Sequence, residues 1–210
     1  MEDIIIAGFG GHGKSVADCI QRLNRYSIVG YTDLEPHSSR YQYLGTDDVL
    51  EEYFDKGICN VAIGIGFMGR GSIRSRLYDR LKKIGYLLPA IVDPSAIISE
   101  TAQIGEGTFI GKGAVLNADA KVGKMAIINT KALIEHESIV GDYVHIAVGA
   151  VLCGQVEIGN SAFIGANATV IQGMRVPPWG FVPAGDVVRK GDFNMVSGGV
   201  KLYIEWGPVK

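Results

Sequence analysis

A chain of 210 residues with 20 basic and 22 acidic side chains carries a net charge of −2, which argues against nucleic acid as a partner. No stretch approaches the roughly eighteen apolar residues of a membrane span, and an N-terminus that begins with Glu2 and Asp3 is unlike a signal peptide. Cys19, Cys59 and Cys153 are odd in number and widely spaced, so they read as reduced, semi-buried residues of a cytoplasmic protein.

The N-terminal part alternates strands and helices. Asp3–Ala7 (DIIIA) is a buried strand, followed by the loop Gly8–Gly13 and a helix from Lys14 to Asn24. A second strand, Ser27–Thr32, ends at Asp33. A loop from Glu35 to Gly45 leads to a short helix over Asp47–Phe54 and a third strand over Asn60–Ile65. A helix over Ser72–Ile84 places Ile73, Leu77 and Leu81 on one face, and a last strand over Leu87–Val92 leads through Asp93 and Pro94 into a different pattern. This order predicts a small Rossmann-like parallel sheet over residues 1–92.

The first loop, GFGGHGKS over residues 8–15, fits two phosphate-binding patterns at once. Gly8, Gly13, Lys14 and Ser15 match the pattern of nucleotide hydrolases, and Gly8, Gly10 and Gly13 match the dinucleotide pattern. In both, glycines let the backbone approach a ligand, and a helix N-terminus offers free N–H groups to a diphosphate. The hydrolase pattern requires a larger domain and an acidic magnesium ligand after another strand, where this chain has Gly64. The dinucleotide pattern expects an acid about twenty residues on, and Asp33 is there. The domain is too small for a nicotinamide dinucleotide, whereas a single mononucleotide half suits a nucleotide sugar. The candidate binding residues are Gly8, Gly10, Gly11, His12, Gly13, Asp33 and Gly64.

From Ile98 to Val176 every sixth residue is aliphatic, and a second register two places earlier is usually small, as at Ala114, Ala120, Ala126 and Ala132. A spacing of six fits neither a helix face nor an alternating strand. It is the mark of a parallel β-helix, in which short strands each send one large side chain inward and then turn a corner. Residues 93–190 are assigned to this domain, giving an α/β unit followed by an all-β unit, and 191–210 to a C-terminal tail.

Within the apolar repeat lies a polar island, residues 129–154. It holds His136, followed by Glu137, and His145, which precedes the repeat residue Ile146. A lone surface histidine is open to a purely structural reading, but two in one island point to chemistry. A zinc site of the carbonic anhydrase type would need three histidines, so no metal is expected.

The repeat resembles that of the hexapeptide-repeat acyltransferases, whose left-handed, triangular β-helix takes three hexapeptides per coil. That implies a little over four coils here, capped near Pro183-Ala184-Gly185. Over about residues 3–190 the chain resembles the NeuD/PglD family of sugar acetyltransferases. The string NT-x-x-x-IEHE-x-x-x-G-x-x-x-H-x-x-x-GA is closest to the branch acting on UDP-4-amino sugars. The resemblance implies that His136 is a general base and Glu137 its polarising partner. It implies that His145 and Asn129 line the acetyl-CoA site, with the Gly154 N–H meeting the thioester oxygen. It implies that the Gly8–Gly13 loop and Asp33 hold the nucleotide sugar. It further implies a homotrimer with acetyl-CoA in the groove between neighbours.

The expected activity is therefore acetyl transfer from acetyl-CoA to the 4-amino group of a UDP-, dTDP- or GDP-linked amino-deoxy sugar, for surface glycan synthesis in the cytoplasm. O-acetylation of a sugar of the sialic acid type is the alternative, and a binding or assembly module with a dead site is a third reading. Two stretches depart from the family: the loop Phe67–Gly71, and the tail GDFNMVSGGVKLYIEWGPVK, whose Val200, Leu202, Ile204 and Trp206 suggest an added strand or docking segment.

Overall fold

The computed structural model describes residues 1–67 and 72–189, which divide into two compact units, 1–67 with 72–94 and 95–189. The tail and most of the Phe67–Gly71 loop lie outside the described residues.

The first unit is built on a four-stranded parallel sheet. Its strands are β1 (Glu2–Ala7), β2 (Tyr26–Thr32), β3 (Tyr43–Gly45) and β4 (Asn60–Ile63), in the order β3-β2-β1-β4. Ile4, Ile5 and Ile6 of β1 are all fully buried. A central parallel strand is covered on both faces, so its sequence is a continuous apolar run and does not alternate. Helix α1 (Gly11–Leu23) buries Val16, Ala17, Cys19 and Ile20 and ends at Asn24, which takes the left-handed conformation with φ 50°. A short helix α2 (Leu50–Asp55) precedes β4, and α3 (Ile73–Ile84) follows it.

Several expectations are corrected. Helix α1 begins inside the glycine loop, at Gly11 and not at Lys14, because Gly10 serves as its N-cap and Gly11-His12-Gly13 form the first turn. The third strand stops at Ile63, which leaves Gly64 just beyond the sheet. The expected loop Glu35–Gly45 contains β3, an edge strand too short to leave a pattern. The expected strand Leu87–Val92 reduces to one bridge, Asn60 to Leu87, and the pair Ile91–Val92. Ile73 is 57% exposed, since the buried face of α3 is Arg74, Leu77, Tyr78 and Leu81. Arg74 can join that face because its Nη1 donates to the carbonyl of Ile65 at 2.5 Å. Cys59 is exposed and not semi-buried.

The second unit is a parallel β-helix. Two-residue strands recur every six residues from Ile97–Ile98 to Val187–Val188, and each pairs in parallel with the strand eighteen residues on, as Ile127 with His145 and Ile128 with Ile146. The second residue of each strand points inward: Ile110, Ile128, Ile134, Ile146, Leu152 and Ile164 are buried to 1% exposure or less. Each contributes about 1.5–3 kcal/mol of apolar burial. The small register is buried with equal completeness at Ala114, Ala126, Ala132 and Ala150.

The repeat runs further than expected, to about five coils. Val182 and Val188 continue the inward register, so Pro183-Ala184-Gly185 is another corner and not a cap. At one fixed place in each corner from residue 107 to 185 the chain has positive φ: Asp119, Met125, Lys131, Glu137, Tyr143, Gln155, Ser161, Asn167 and Trp179 share it with Gly107, Gly113, Gly149, Gly173 and Gly185.

The three faces differ outside. One carries Gln103, Lys121, Ile139, Glu157 and Arg175. The next carries Phe109, Ile127, His145, Phe163 and Phe181. The third carries Ile97, Val115, Leu133, Val151, Thr169 and Val187, a column that is apolar apart from one threonine and partly or fully exposed.

Candidate active site and nucleotide-binding loop

In the first unit, Gly8 follows β1 and Gly64 follows β4, so the two flank the point where the strand order reverses. Ligands of open parallel sheets bind at such a switch point, beyond the carboxyl ends of the strands. Here the glycines have separate tasks. A Cβ on Gly13 or on Gly64 would collide with the carbonyl oxygen of Gly8, so these three close the loop against the sheet. A Cβ on Gly10 or Gly11 would meet nothing within 4 Å, so there the backbone is open to approach. This is the first turn of α1, whose N–H groups have no partners within the helix.

Asp33 ends β2 beside this loop. Its Oδ2 accepts the Phe9 N–H at 2.7 Å and faces His37 Nε2 at 3.0 Å, and its Oδ1 accepts the Leu34 N–H at 2.7 Å. Partial burial pushes its pKa up, but the bonds from Phe9, Leu34 and His37 together outweigh that, and the carboxyl is held below the usual range. His37 is fixed in turn, because its N–H donates to the Tyr31 hydroxyl and its carbonyl accepts from that hydroxyl. Phe9 stacks on Tyr31 with ring centroids 4.1 Å apart. An open pocket of about 270 Å³ adjoins the loop, with Phe9, Lys14, Ser38, Arg40 and Tyr41 in its lining. His12 lies beside Gly66, whose Cβ would sit 3.5 Å from that of the histidine.

In the second unit, His136 and Glu137 occupy the corner after the strand Leu133–Ile134. Glu137 is the positive-φ residue of that corner, at 58°. This turns its carboxylate back toward its neighbour, and Oε2 lies 3.2 Å from His136 Nδ1. With Nδ1 donating to the carboxylate, Nε2 carries the free lone pair. Gln155, one coil on, donates its Nε2–H to the same carboxylate oxygen at 3.0 Å. The Gln155 bond and then the His136 bond hold the Glu137 carboxyl below its ordinary range.

Gly154 sits directly against the imidazole. A Cβ there would lie 2.5 Å from His136 Nε2 and 2.6 Å from Cε1, so only glycine leaves the base accessible. At the equivalent corner positions the N–H groups of Ala118, Lys124, Thr130 and His136 are capped by side-chain oxygens. The Gly154 N–H makes no bond to another described residue, which leaves a donor beside the base.

Asn129 and His145 form a second pair, with Asn129 Nδ2 at 3.3 Å from His145 Nε2. His145 is 8% exposed and packs edge-on to Phe163. Asn129 lies in the corner before the strand Leu133–Ile134, with His145 on the strand face that leads to it, and His136 lies in the corner after that strand. One chain therefore gathers His136, Glu137 and Gly154 on one edge, and Asn129 and His145 on another. Gln155 and Glu135, whose Oε2 accepts the His136 N–H and the Asn117 amide, were not legible as site residues. Adding eighteen to 137 would have found Gln155. Among the described residues no cluster of three His, Cys, Asp or Glu is placed to hold a metal, and no helix is long and apolar enough to cross a membrane.

A small doubly wound unit followed by a parallel β-helix, with a histidine–carboxylate pair on its edge, defines a class of acyl-transfer proteins. Residues 3–81 match the family model described as the PglD N-terminal domain. The chain is 30% identical to PerB from Caulobacter crescentus, whose structure is a complex with CoA and GDP-perosamine, over 90% of this chain and 89% of that one, with a TM-score of 0.85. It is 27% identical to the acetyltransferase domain of PglB from Neisseria gonorrhoeae in complex with acetyl coenzyme A, over 90% and 94% of the two chains, with a TM-score of 0.81. UDP-N-acetylbacillosamine N-acetyltransferase of Bacillus subtilis is 34% identical over 113 residues, 52% of this chain and 51% of that protein, so the match spans about half the length of this curated relative. The chain belongs to the NeuD/PglD family of sugar acetyltransferases, and its β-helix is of that family's left-handed kind.

Proposed function

We propose that this protein transfers the acetyl group of acetyl-CoA to the 4-amino group of a nucleotide-linked amino-deoxy sugar. The observation that carries the reading is the seat of His136: Nδ1 on a carboxylate, and Nε2 facing a glycine whose N–H bonds to no other described residue. The relatives solved with CoA, acetyl coenzyme A and GDP-perosamine support the choice of cosubstrates.

In this reading the amine attacks the thioester carbonyl. The C–N bond forms, the oxygen becomes an oxyanion, and the nitrogen becomes positive. His136 Nε2 takes the proton, the Gly154 N–H stabilises the oxyanion, and collapse expels the CoA thiolate. Glu137 stabilises the imidazolium that results. The nucleotide is held by the first unit, with its diphosphate at the open backbone of Gly10 and Gly11. Asp33 acts there by fixing the loop through Phe9. Lys14 and Arg40 supply positive charge in the adjoining pocket.

The active form is a homotrimer in the cytoplasm. The support is geometric: the acetyl-CoA residues Asn129 and His145 lie on one corner and the base on another, with the exposed apolar face between them. A neighbour docked on that face brings one chain's Asn129 corner to another's His136 corner.

The test is product analysis by mass spectrometry and NMR with matched 4-amino and 4-hydroxy UDP, dTDP and GDP sugars. N-acetylation of an amino sugar is expected, with turnover reduced roughly 10²- to 10⁴-fold in His136→Ala. An alkali-labile ester formed only on the hydroxy compound would establish O-acetylation instead, and near-normal turnover of His136→Ala would remove the base.

A further inference from the structure

The corner one coil beyond the dyad holds Gln155, and it touches the dyad twice. Its backbone N–H donates to the His136 carbonyl at 2.9 Å. Its side-chain amide donates at 3.0 Å to Glu137 Oε2, the same oxygen that faces His136 Nδ1 at 3.2 Å. Both residues adopt the positive-φ conformation, 58° at Glu137 and 59° at Gln155, so the two side chains leave the corner in the same direction, stacked in register.

We infer that Gln155 is a positioning residue for the acyl transfer, clamping the Glu137 carboxylate in the one orientation that directs His136 Nε2 toward the amine. The inference rests on the reading of His136 as the base. Glu137 is largely exposed, and a free glutamate there would sample several rotamers. A second donor on Oε2 removes that freedom and keeps the carboxylate ionised, in line with its depressed pKa. The residue type matters. A glutamate at 155 would repel Glu137, and a lysine would neutralise the charge that stabilises the imidazolium. An amide donates without adding charge. Among the described residues, the other titratable groups in register around the dyad are Glu135, which accepts the His136 N–H, Asp119 one coil before Glu137, and Cys153 one coil after Glu135.

The experiment compares Gln155→Leu and Gln155→Glu with the full-length parent. It uses steady-state kinetics across pH, and NMR titration of the Glu137 carboxyl and the His136 imidazole. For Gln155→Leu, kcat should fall roughly tenfold, with both KM values within about twofold and the Glu137 carboxyl titrating at higher pH. For Gln155→Glu, the added negative charge should raise the imidazole pKa and move the acid limb of the kcat profile to higher pH. Thermal melting and circular dichroism identify any variant that fails to fold, and the other variant then carries the test. If both fold, and both give the parental kcat–pH profile and parental carboxyl and imidazole titrations, the clamp is overturned. The NMR titrations need no turnover, so a failure of the clamp is distinguishable from a failure of His136 as base, which the His136→Ala variant reports by itself.

Discussion

Asp33 stands where a ribose ligand is expected, yet both of its oxygens already bind the protein, at Phe9, Leu34 and His37. Its expected consequence for substrate therefore runs through the loop. Asp33→Ala should free the Phe9 backbone, loosen the Gly8–Gly13 turn, and raise the KM for the nucleotide sugar far more than that for acetyl-CoA. Steady-state kinetics with each substrate varied checks this, and equal shifts in both constants would contradict it. The sign of the pH effect is fixed by the lowered pKa. The carboxylate's stabilisation is present above the ordinary range near ~3.9 and is lost as pH falls through the lower folded value. At this scale the adjacent pair His136-Glu137 could be seen in the string of residues, because neighbours are written side by side. Gln155 is not adjacent to them in the string and emerges only when one coil, eighteen residues, is counted on from Glu137.

Among the elements, the coil strands were readable because burial alone repeats every six residues. The continuation through Val182 and Val188 was obscured by Pro183, which suggests an end but occupies a corner of a further coil. The positive-φ place was not readable at all: Asp, Met, Lys, Glu, Tyr, Gln, Ser, Asn and Trp share no chemistry. The misassigned Ile73 has the converse cause, since Arg74 is buried by a bond to a carbonyl that hydrophobicity cannot anticipate. One element also couples packing to the dyad. Ser138, the next residue after Glu137, lies fully buried in the small register, donates to the Cys153 carbonyl at 2.9 Å and accepts the Val156 N–H at 3.1 Å. Ser138→Ala keeps the size but leaves two buried backbone groups unpaired, so it should cost about 1–3 kcal/mol. Chemical denaturation measures this, and an unchanged midpoint would mean that the two groups find other partners.

For the whole molecule, the proposed site requires residues on two edges of the β-helix, His136 on one and Asn129 on another, to be brought together by a second chain. The column Val115, Leu133 and Val151, half-buried between the exposed Ile97 and Val187, is a contiguous apolar surface of the kind that marks an interface. If the proposed trimer forms through this face, Leu133→Glu combined with Val151→Glu should yield a monomer without transferase activity and with an unchanged circular dichroism spectrum. Light scattering that shows an active monomer, in the parent or in the variant, would overturn the shared site. The two-unit plan and the parallel β-helix were legible from alternation and period alone. The proposed split of the site between corners is legible only when residues are counted by eighteen, which puts His136 and Gly154 on one edge and Asn129 on another.

The corners also have a stereochemical consequence. A backbone near φ +58° is the mirror image of the ordinary helical value, and an L-residue there costs on the order of 1 kcal/mol. A D-amino acid would adopt it without strain. In a chain made by total synthesis, D-residues at the exposed corner positions Asp119 or Lys131 should therefore raise stability. At Glu137 or Gln155, inverting the Cα would redirect the side chain away from the imidazole. The β-helix thus has two kinds of corner, those that would benefit from inverted chirality and those whose chemistry depends on the natural hand.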